Sequence, residues 1–353
     1  MCNALAQEGN EVTLLVTNRP THILETPEDF YGTSLLFSVV RVAVPDIAGN
    51  IDKVPNFLRP FSYTLQRIVL VIRAWRFIKK ESFEYIYGRD QWLLALLSYG
   101  VDTPIVWESH EAKYSFVAKR LLYCCKKIVV ISEGIQAFYL NKGVPTLKIF
   151  VAHDAVDDSF FEPPLSKQEA RRVLGIVTDK PVAMYIGGLD HWKGVDTLFE
   201  ASENNFEKFS TYVIGGGQSD LKSYKVRYPH VHFLGARPYK ELKDHQQAAD
   251  ILVIPNTAKN KLSAEYTSPL KLFAHMTSKI PIVVSDIPSI KNVVPEECAY
   301  FFEADNPESL TQAIVKVVDN PTLARERSER LYKVSRKYTW RERARGIVKF
   351  INS

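Results

Sequence analysis

Residues 262–286, LSAEYTSPLKLFAHMTSKIPIVVSD, set the reading of the fold. Ser268 followed by Pro269 reads as a helix start, with serine at the N-cap and proline at the first helical position. Leu270, Leu272, Phe273 and Met276 then recur at helical spacing, and the Ser278–Lys279 turn leads into the β-branched run IPIVVSD. A helix that starts this way turns unpaired N–H groups and the positive end of its dipole toward whatever lies in front of it. Lys271 adds a full positive charge to that first turn, which is unfavourable unless an anion sits there too. The stretch is either an ordinary capped helix between two strands of an α/β sheet or an anion-binding helix, and its neighbours must decide.

Working outward, the same alternation continues on both sides. PVAMYIGG (181–188) reads as a strand, LDHWKGVDTLFEAS as a loop into a helix, and STYVIGGGQSD (210–220) as a strand ending in three glycines. VHFLGA, a helix from about Lys240 and DILVIPN (250–256) follow, and helices over 307–318 and 322–336 finish this half. Upstream, EYIYGRD (84–90), TPIVWESHEAK (103–113), KKIVVISEG (126–134) and KIFVAHDAVD (148–157) read as strands with polar exits. Strands alternating with helices at this spacing predict parallel sheets with helices on both faces. In such sheets the loops after the strands carry the chemistry, which singles out Arg89, His110, Ser132 and Asp154, with Glu111 the acid beside His110. The Pro-Pro pair in FFEPPLSKQEARRVLG (160–175) predicts a domain boundary, giving two tandem Rossmann-like domains over 1–165 and 166–337. An α/β domain normally opens with a strand and a glycine-rich turn, whereas MCNALAQEGN reads as the end of a helix. The first strand is therefore expected to be missing, through a truncated start.

At 353 residues and 46% hydrophobic content the chain has ample material for two cores. Its net charge of +5 suits anionic substrates or a membrane surface and is too mild to argue for nucleic acid. Cys2, Cys124, Cys125 and Cys298 form no C-x-x-C pair, which reads as reduced thiols in the cytoplasm. No signal peptide and no apolar run long enough to span a bilayer is evident. Residues 59–80 carry Arg59, Arg67, Arg73, Arg76, Lys79 and Lys80 with no acid, interleaved with apolar residues such as Phe61, Ile68, Ile72 and Trp75. Such a helix either packs on a core with a solvated basic face or lies peripherally on an anionic membrane.

Several sites are excluded by their residues. Asp220 stands where the dinucleotide fingerprint GGGQSD needs its third glycine, and no G-x-x-x-x-G-K-[ST] loop occurs. No Asp-x-Asp occurs to clamp a divalent ion on a nucleotide diphosphate, so no metal is expected. Any diphosphate would have to be held by lysines, N–H groups and a helix dipole, which is what the opening stretch offers.

YIGGLDHWKGVDTL (185–198), VIGGGQSDL (213–221), FLGARPYKEL (233–242), AADILVIPN (248–256) and YTSPLKLFAHM (266–276), in this order, resemble a GT-B-fold glycosyltransferase of family 4. That resemblance implies a retaining, nucleotide-sugar-dependent enzyme with the acceptor on the N-terminal domain and the donor on the C-terminal one. It also implies that the final helix, over 338–353, packs back on the first domain. Carried over, it puts Lys193 and Lys271 on the donor diphosphate, with Gly187, Gly188 and Gly216 allowing close backbone approach. Ser268, Pro269 and Leu270 would supply the helix N-terminus, and His110 and Glu265 would stand at the reacting centre.

The chain departs from that pattern in places. Gly188 replaces a frequent arginine, and the first of the family's paired glutamates aligns with Tyr266, one residue from Glu265. The second, which would bind the nucleotide's ribose, aligns with Ala274. The expected activity is transfer of a hexose from a nucleotide sugar such as UDP- or GDP-hexose to a glycan or lipid-linked acceptor at the cytosolic membrane face. The alternative is a weakly active or inactive GT-B protein that binds a nucleotide or partners an active transferase.

Overall fold

The computed structural model describes residues 1–18, 26–44 and 59–353. The side chains of 30, 31, 59–63 and 218–220 lie outside that description, Arg59 and Phe61 of the basic stretch among them. Internal contacts divide the chain into two units: Met1–Ile131, Ile135–Ala152 and Ala344–Ser353 form the first, Ser132–Gly134 and His153–Arg343 the second. The division therefore falls at 152/153, ahead of the expected 165/166. The Pro163–Pro164 pair lies inside the second unit, because Phe160 belongs to that unit's core and the Leu165 N–H donates to Asp244 at 2.9 Å.

The first unit runs α1 (Cys2–Gln7), β1 (Thr13–Thr17), α2 (Pro27–Tyr31), β2 (Ser38–Val42), α3 (Arg59–Lys80) and β3 (Ile86–Gly88). It continues with α4 (Gln91–Leu97), β4 (Ile105–Ser109), α5 (Phe116–Cys124), β5 (Lys127–Val130), α6 (Glu133–Leu140) and β6 (Ile149–Val151). β1 pairs with β2, and β3, β4, β5 and β6 form a second sheet in sequence order, all pairs parallel. Polar strand exits double as helix starts: the Asp90 carboxylate accepts the Leu93 N–H, and the Ser115 hydroxyl accepts the Ala118 N–H.

The second unit contains α7 (Lys167–Leu174), β7 (Val182–Ile186), α8 (Val195–Asn205), β8 (Ser210–Ile214), α9 (Gln218–Arg227) and β9 (Val231–Gly235). Then come α10 (Leu242–His245), β10 (Ile251–Ile254), α11 (Leu270–Met276), β11 (Ile282–Ser285), α12 (Pro288–Lys291), β12 (Tyr300–Phe302), α13 (Pro307–Asp319) and α14 (Pro321–Ser335). Its sheet is parallel throughout, in the order β12-β11-β10-β7-β8-β9. Both faces are covered, which explains strands that are apolar without interruption. Val182, Met184 and Ile186 of β7 enter the core on one face, Ala183 and Tyr185 the core on the other. Strand order reverses between β7 and β10, because the chain builds outward from β7 through β9 and then returns to its other side.

The last helix, α15 (Trp340–Ile351), begins in the second unit, and from Ala344 onward its residues belong to the first. There Ile347 is fully buried against Val106 and Val129, and Phe350 stacks on Phe150 at 5.2 Å. Ile347→Ala should cost about 2–5 kcal/mol, the range for a truncated core aliphatic. Lys349→Ala, on the exposed side, should change stability by less than about 0.5 kcal/mol. Urea unfolding of the two variants checks the difference; equal midpoints would contradict this packing.

Candidate functional site

A reversal of strand order leaves a crevice at the carboxyl ends of the two strands beside it. In the second unit those strands are β7 and β10, followed by Gly187–Gly188 and by Pro255–Asn256. The two connections touch: Gly194 adopts φ +67°, and a Cβ there would collide with the Pro255 carbonyl and stand 2.8 Å from the Thr257 nitrogen. The second glycine turn closes on the first, since a Cβ on Gly216 would lie 2.6 Å from Leu189.

Lys193 sits on a short helical turn, His191–Lys193, and pairs with Asp190 at 2.6 Å. That hydrogen bond holds the Asp190 carboxyl below its ordinary value, against the opposing effect of burial. A Cβ on Gly188 would come within 2.7 Å of the Lys193 ammonium and 3.1 Å of the Asp190 carboxylate. Gly188 thus leaves room for the lysine beside it.

Lys271, in the first turn of α11, donates to the Tyr185 hydroxyl at 3.2 Å and lies 4.4 Å from the centre of its ring. Tyr185 in turn donates to the Gly188 carbonyl at 2.7 Å, so one buried phenol ties the lysine to the glycine turn. Burial, reinforced by the charge of Asp190, pushes that phenol well above its usual pKa. The Lys271 residue is only partly covered, but its ammonium is crowded by protein. This desolvation, joined by repulsion from Lys193 and opposed by Asp190, lowers its pKa to about 7. One turn on, burial and then the Lys271 charge bring His275 down to about 3, so it is neutral, with Nδ1 3.2 Å from the Gln246 amide oxygen.

The start of α11 differs from expectation. Pro269 is the N-cap and Leu270 the first helical residue, because the Ser268 hydroxyl accepts the Asp154 N–H at 2.8 Å instead of capping the helix. The first-turn N–H groups of Leu270 and Lys271 have no acceptor within the helix. Glu265 lies in a π-helical turn, Leu262–Tyr266, that packs beside the His191–Lys193 turn, and it pairs with Lys261 at 3.6 Å. Ala274 packs against the core.

The second unit thus gathers Gly187, Gly188, Lys193, Gly216 and Lys271, with Glu265 on the adjoining turn. Sequence reading passed over Tyr185, which looks like an ordinary strand residue, and Asn256. The Asn256 side chain is buried at the exit of β10, and among the described residues neither amide atom has a hydrogen-bond partner. The signal available was a polar residue directly after a buried strand and proline. The Ser132 hydroxyl donates to the Tyr266 carbonyl, and Asp154 is tied to Ser268 through its backbone N–H.

His110 belongs to the first unit, at the exit of β4. Its acid partner is Glu108 rather than Glu111, which pairs with Lys113. The Glu108 carboxylate is fully buried and takes His110 Nε2 at 2.6 Å, Arg89 Nε at 2.9 Å and the Tyr87 hydroxyl. Glu108 is the second-last residue of β4, and its partners Arg89 and His110 directly follow β3 and β4, whereas Glu111 lies beyond the strand.

Residues 180–320 match the family model described as Glycosyl transferases group 1, and residues 1–160 match that of Glycosyltransferase Family 4. The lipopolysaccharide core biosynthesis mannosyltransferase LpsB of Rhizobium meliloti is 24% identical over 62% of this chain and 64% of its own. The chain spans between 36% and 64% of the length of the first curated relatives it matches. Among solved structures, sucrose-phosphate synthase from Thermosynechococcus elongatus superposes with a TM-score of 0.76 at 18% identity, over 99% of this chain and 90% of that one. Anabaena HepE in complex with UDP-glucose gives 0.72 at 15%, over 89% and 86%. Both show the fold.

Removing the Lys193 charge should raise the pKa of Lys271, because a like-charged neighbour is lost. In Lys193→Ala, acylation of Lys271 followed by mass spectrometry should therefore require higher pH. An unchanged profile would contradict the coupling.

Proposed function

The chain belongs to the group 1, family 4 glycosyltransferases, and from that premise we propose that it moves a hexose from a nucleoside-diphosphate sugar, with retention, to a glycan or lipid-linked acceptor. The observation that carries this reading is the convergence of Lys193 and Lys271 on one crevice, with Tyr185 binding the second lysine to the glycine turn. Two cations and an open helix start form a seat for a diphosphate.

In the proposed reaction the bond between the sugar's anomeric carbon and the diphosphate oxygen breaks, and its electron pair leaves with the phosphate. Lys193 and Lys271 stabilise that developing charge, and no metal ion is called on to do so. The acceptor hydroxyl adds on the face the phosphate leaves and gives its proton to the departing phosphate oxygen. No protein nucleophile is needed. Asn256, with its unpaired amide, is the polar side chain placed to meet the donor from the β10 side. Glu265 is kept as a candidate group on the adjoining turn, and His110 with Glu108 as the candidate pair on the acceptor-bearing unit.

A mannosyltransferase relative in lipopolysaccharide core synthesis and a neighbour holding UDP-glucose support a nucleotide-sugar donor and a glycan acceptor. Ala274 favours a second reading, a nucleotide-binding protein without transfer, because alanine offers no carboxylate to ribose hydroxyls. A thermal-shift panel of UDP, GDP, ADP and their hexose conjugates separates the readings. One nucleotide series should stand out; at about 100 times its Kd a ligand stabilises by roughly 2.7 kcal/mol, a shift of a few degrees. Lys193→Ala should weaken that ligand about ten- to a hundredfold, the loss of one charge-assisted hydrogen bond. Hydrolysis or transfer of the bound sugar supports the enzyme; binding without either supports the second reading, and a flat panel contradicts both.

A further inference from the structure

The outward sides of the helices in the first unit are the wrong chemistry for water. A helix on a globular surface normally turns charged and polar residues to solvent. On α3, Leu65, Ile68, Ile72 and Trp75 recur at intervals of three or four and are 41%, 45%, 43% and 38% exposed, while Gln66 and Ala74 on the other side are buried. α4 repeats the pattern with Trp92 and Leu96, followed by Tyr99 just past its end. α5 repeats it with Phe116 and Tyr123, both more than 80% exposed.

Side-chain contacts join these stripes into one surface. Trp75 Nε1 donates to the Gly100 carbonyl at 2.7 Å, and the Arg67 guanidinium lies 5.7 Å over the Trp92 ring. Arg120 reaches from α5 to the Ser98 hydroxyl at 3.0 Å and lies 4.2 Å over Tyr99. The surrounding charge is predominantly positive. Residues 59–131 hold twelve lysines and arginines against six carboxylates, more positive charge than the +5 of the whole chain. None of those six carboxylates lies within α3, α4 or α5. Among the described residues, three of the twelve cations are paired: Lys79 with Asp102 at 3.1 Å, Arg89 with Glu108 at 2.9 Å, and Lys113 with Glu111.

We infer that the solvent face of α3, α4 and α5 docks on an anionic lipid bilayer. Aliphatic and aromatic side chains would enter the headgroup boundary, and the long arginine and lysine stems would lift their charges to the phosphates. Nucleic acid would use the charge and leave the isoleucines in water, and a protein partner would need acidic groups to answer three helices that carry no carboxylate. Among the described residues no helix is long and apolar enough to cross a membrane, so the contact would be peripheral. Docking asks nothing of the donor crevice, which lies in the other unit.

The test is flotation of the full chain with vesicles of phosphatidylcholine alone or with about 30% phosphatidylglycerol, at low and high salt. The expected result is binding to the anionic vesicles only, weakened by salt. Ile68→Ser/Ile72→Ser should abolish it. Arg76→Ala/Lys119→Ala, which removes one charge from each of two helices, should weaken it about thirtyfold, from roughly 1 kcal/mol per basic residue near the surface. Both variants should keep the wild-type melting temperature and nucleotide response. Failure of the folded chain to bind at low salt, or undiminished binding by both variants, would overturn the inference. So would an oligomer in the absence of lipid that Ile68→Ser/Ile72→Ser dissociates while vesicles are ignored. Vesicle binding with a flat nucleotide panel would sustain this surface while the donor reading fails.

Discussion

Between β7 and β10 the connections lead away in opposite directions, and no helix can cover the gap between them. Most of the second unit's chemistry follows from that vacancy. Backbone must pass closely on both sides, which is why glycine stands at 187, 188, 194 and 216. The space also lets two ammonium groups approach one another at the edge of a low-dielectric core, where repulsion is strong and water is scarce. Asp190 offsets part of that cost, and the Tyr185 hydroxyl gives Lys271 an acceptor without adding charge. The result is a site that is under-neutralised when empty.

Under-neutralisation is itself useful for binding an anion. A cation fully paired within the protein would have to give up its partner before taking a phosphate, and that exchange would recover little. In the proposed site Lys271, near half-charged at neutral pH, would instead be charged by an arriving anion. Glu108 plays the complementary part in the first unit, where a buried carboxylate gathers Arg89, His110 and Tyr87 at the ends of two strands. Each unit therefore spends one buried polar or charged side chain on holding others at strand exits.

The alternation of strands and helices was legible in the sequence because parallel strands buried on both faces leave long apolar runs with polar exits. The placement of Lys193, Lys271 and His110 after a strand or at a helix start was legible for the same reason. What escaped was set by tertiary contact. Ser268 has the chemistry of a cap, yet its oxygen is taken by Asp154, more than a hundred residues away in sequence. Glu108 and Tyr185 sit inside runs that read as core, and periodicity does not say which core residue carries a useful polar end. The π-helical turn at Leu262–Tyr266 has no composition signal, and the Pro-Pro pair marked a turn within a unit rather than a border between two.

The central claim, that an anion completes the charge of Lys271, is open to a direct count of protons. Calorimetric titration of the nucleotide sugar that the chain binds, at pH 7.5 in two buffers of different ionisation heat, gives the number of protons taken up. With a free pKa of about 7 that is raised on binding, uptake should be about 0.7 proton per site. It should fall toward zero below pH 6 and vanish in Lys271→Met. Tight binding with no proton uptake at pH 7.5 would mean that Lys271 is already charged, or is not at the phosphate, and the account of this site would fall.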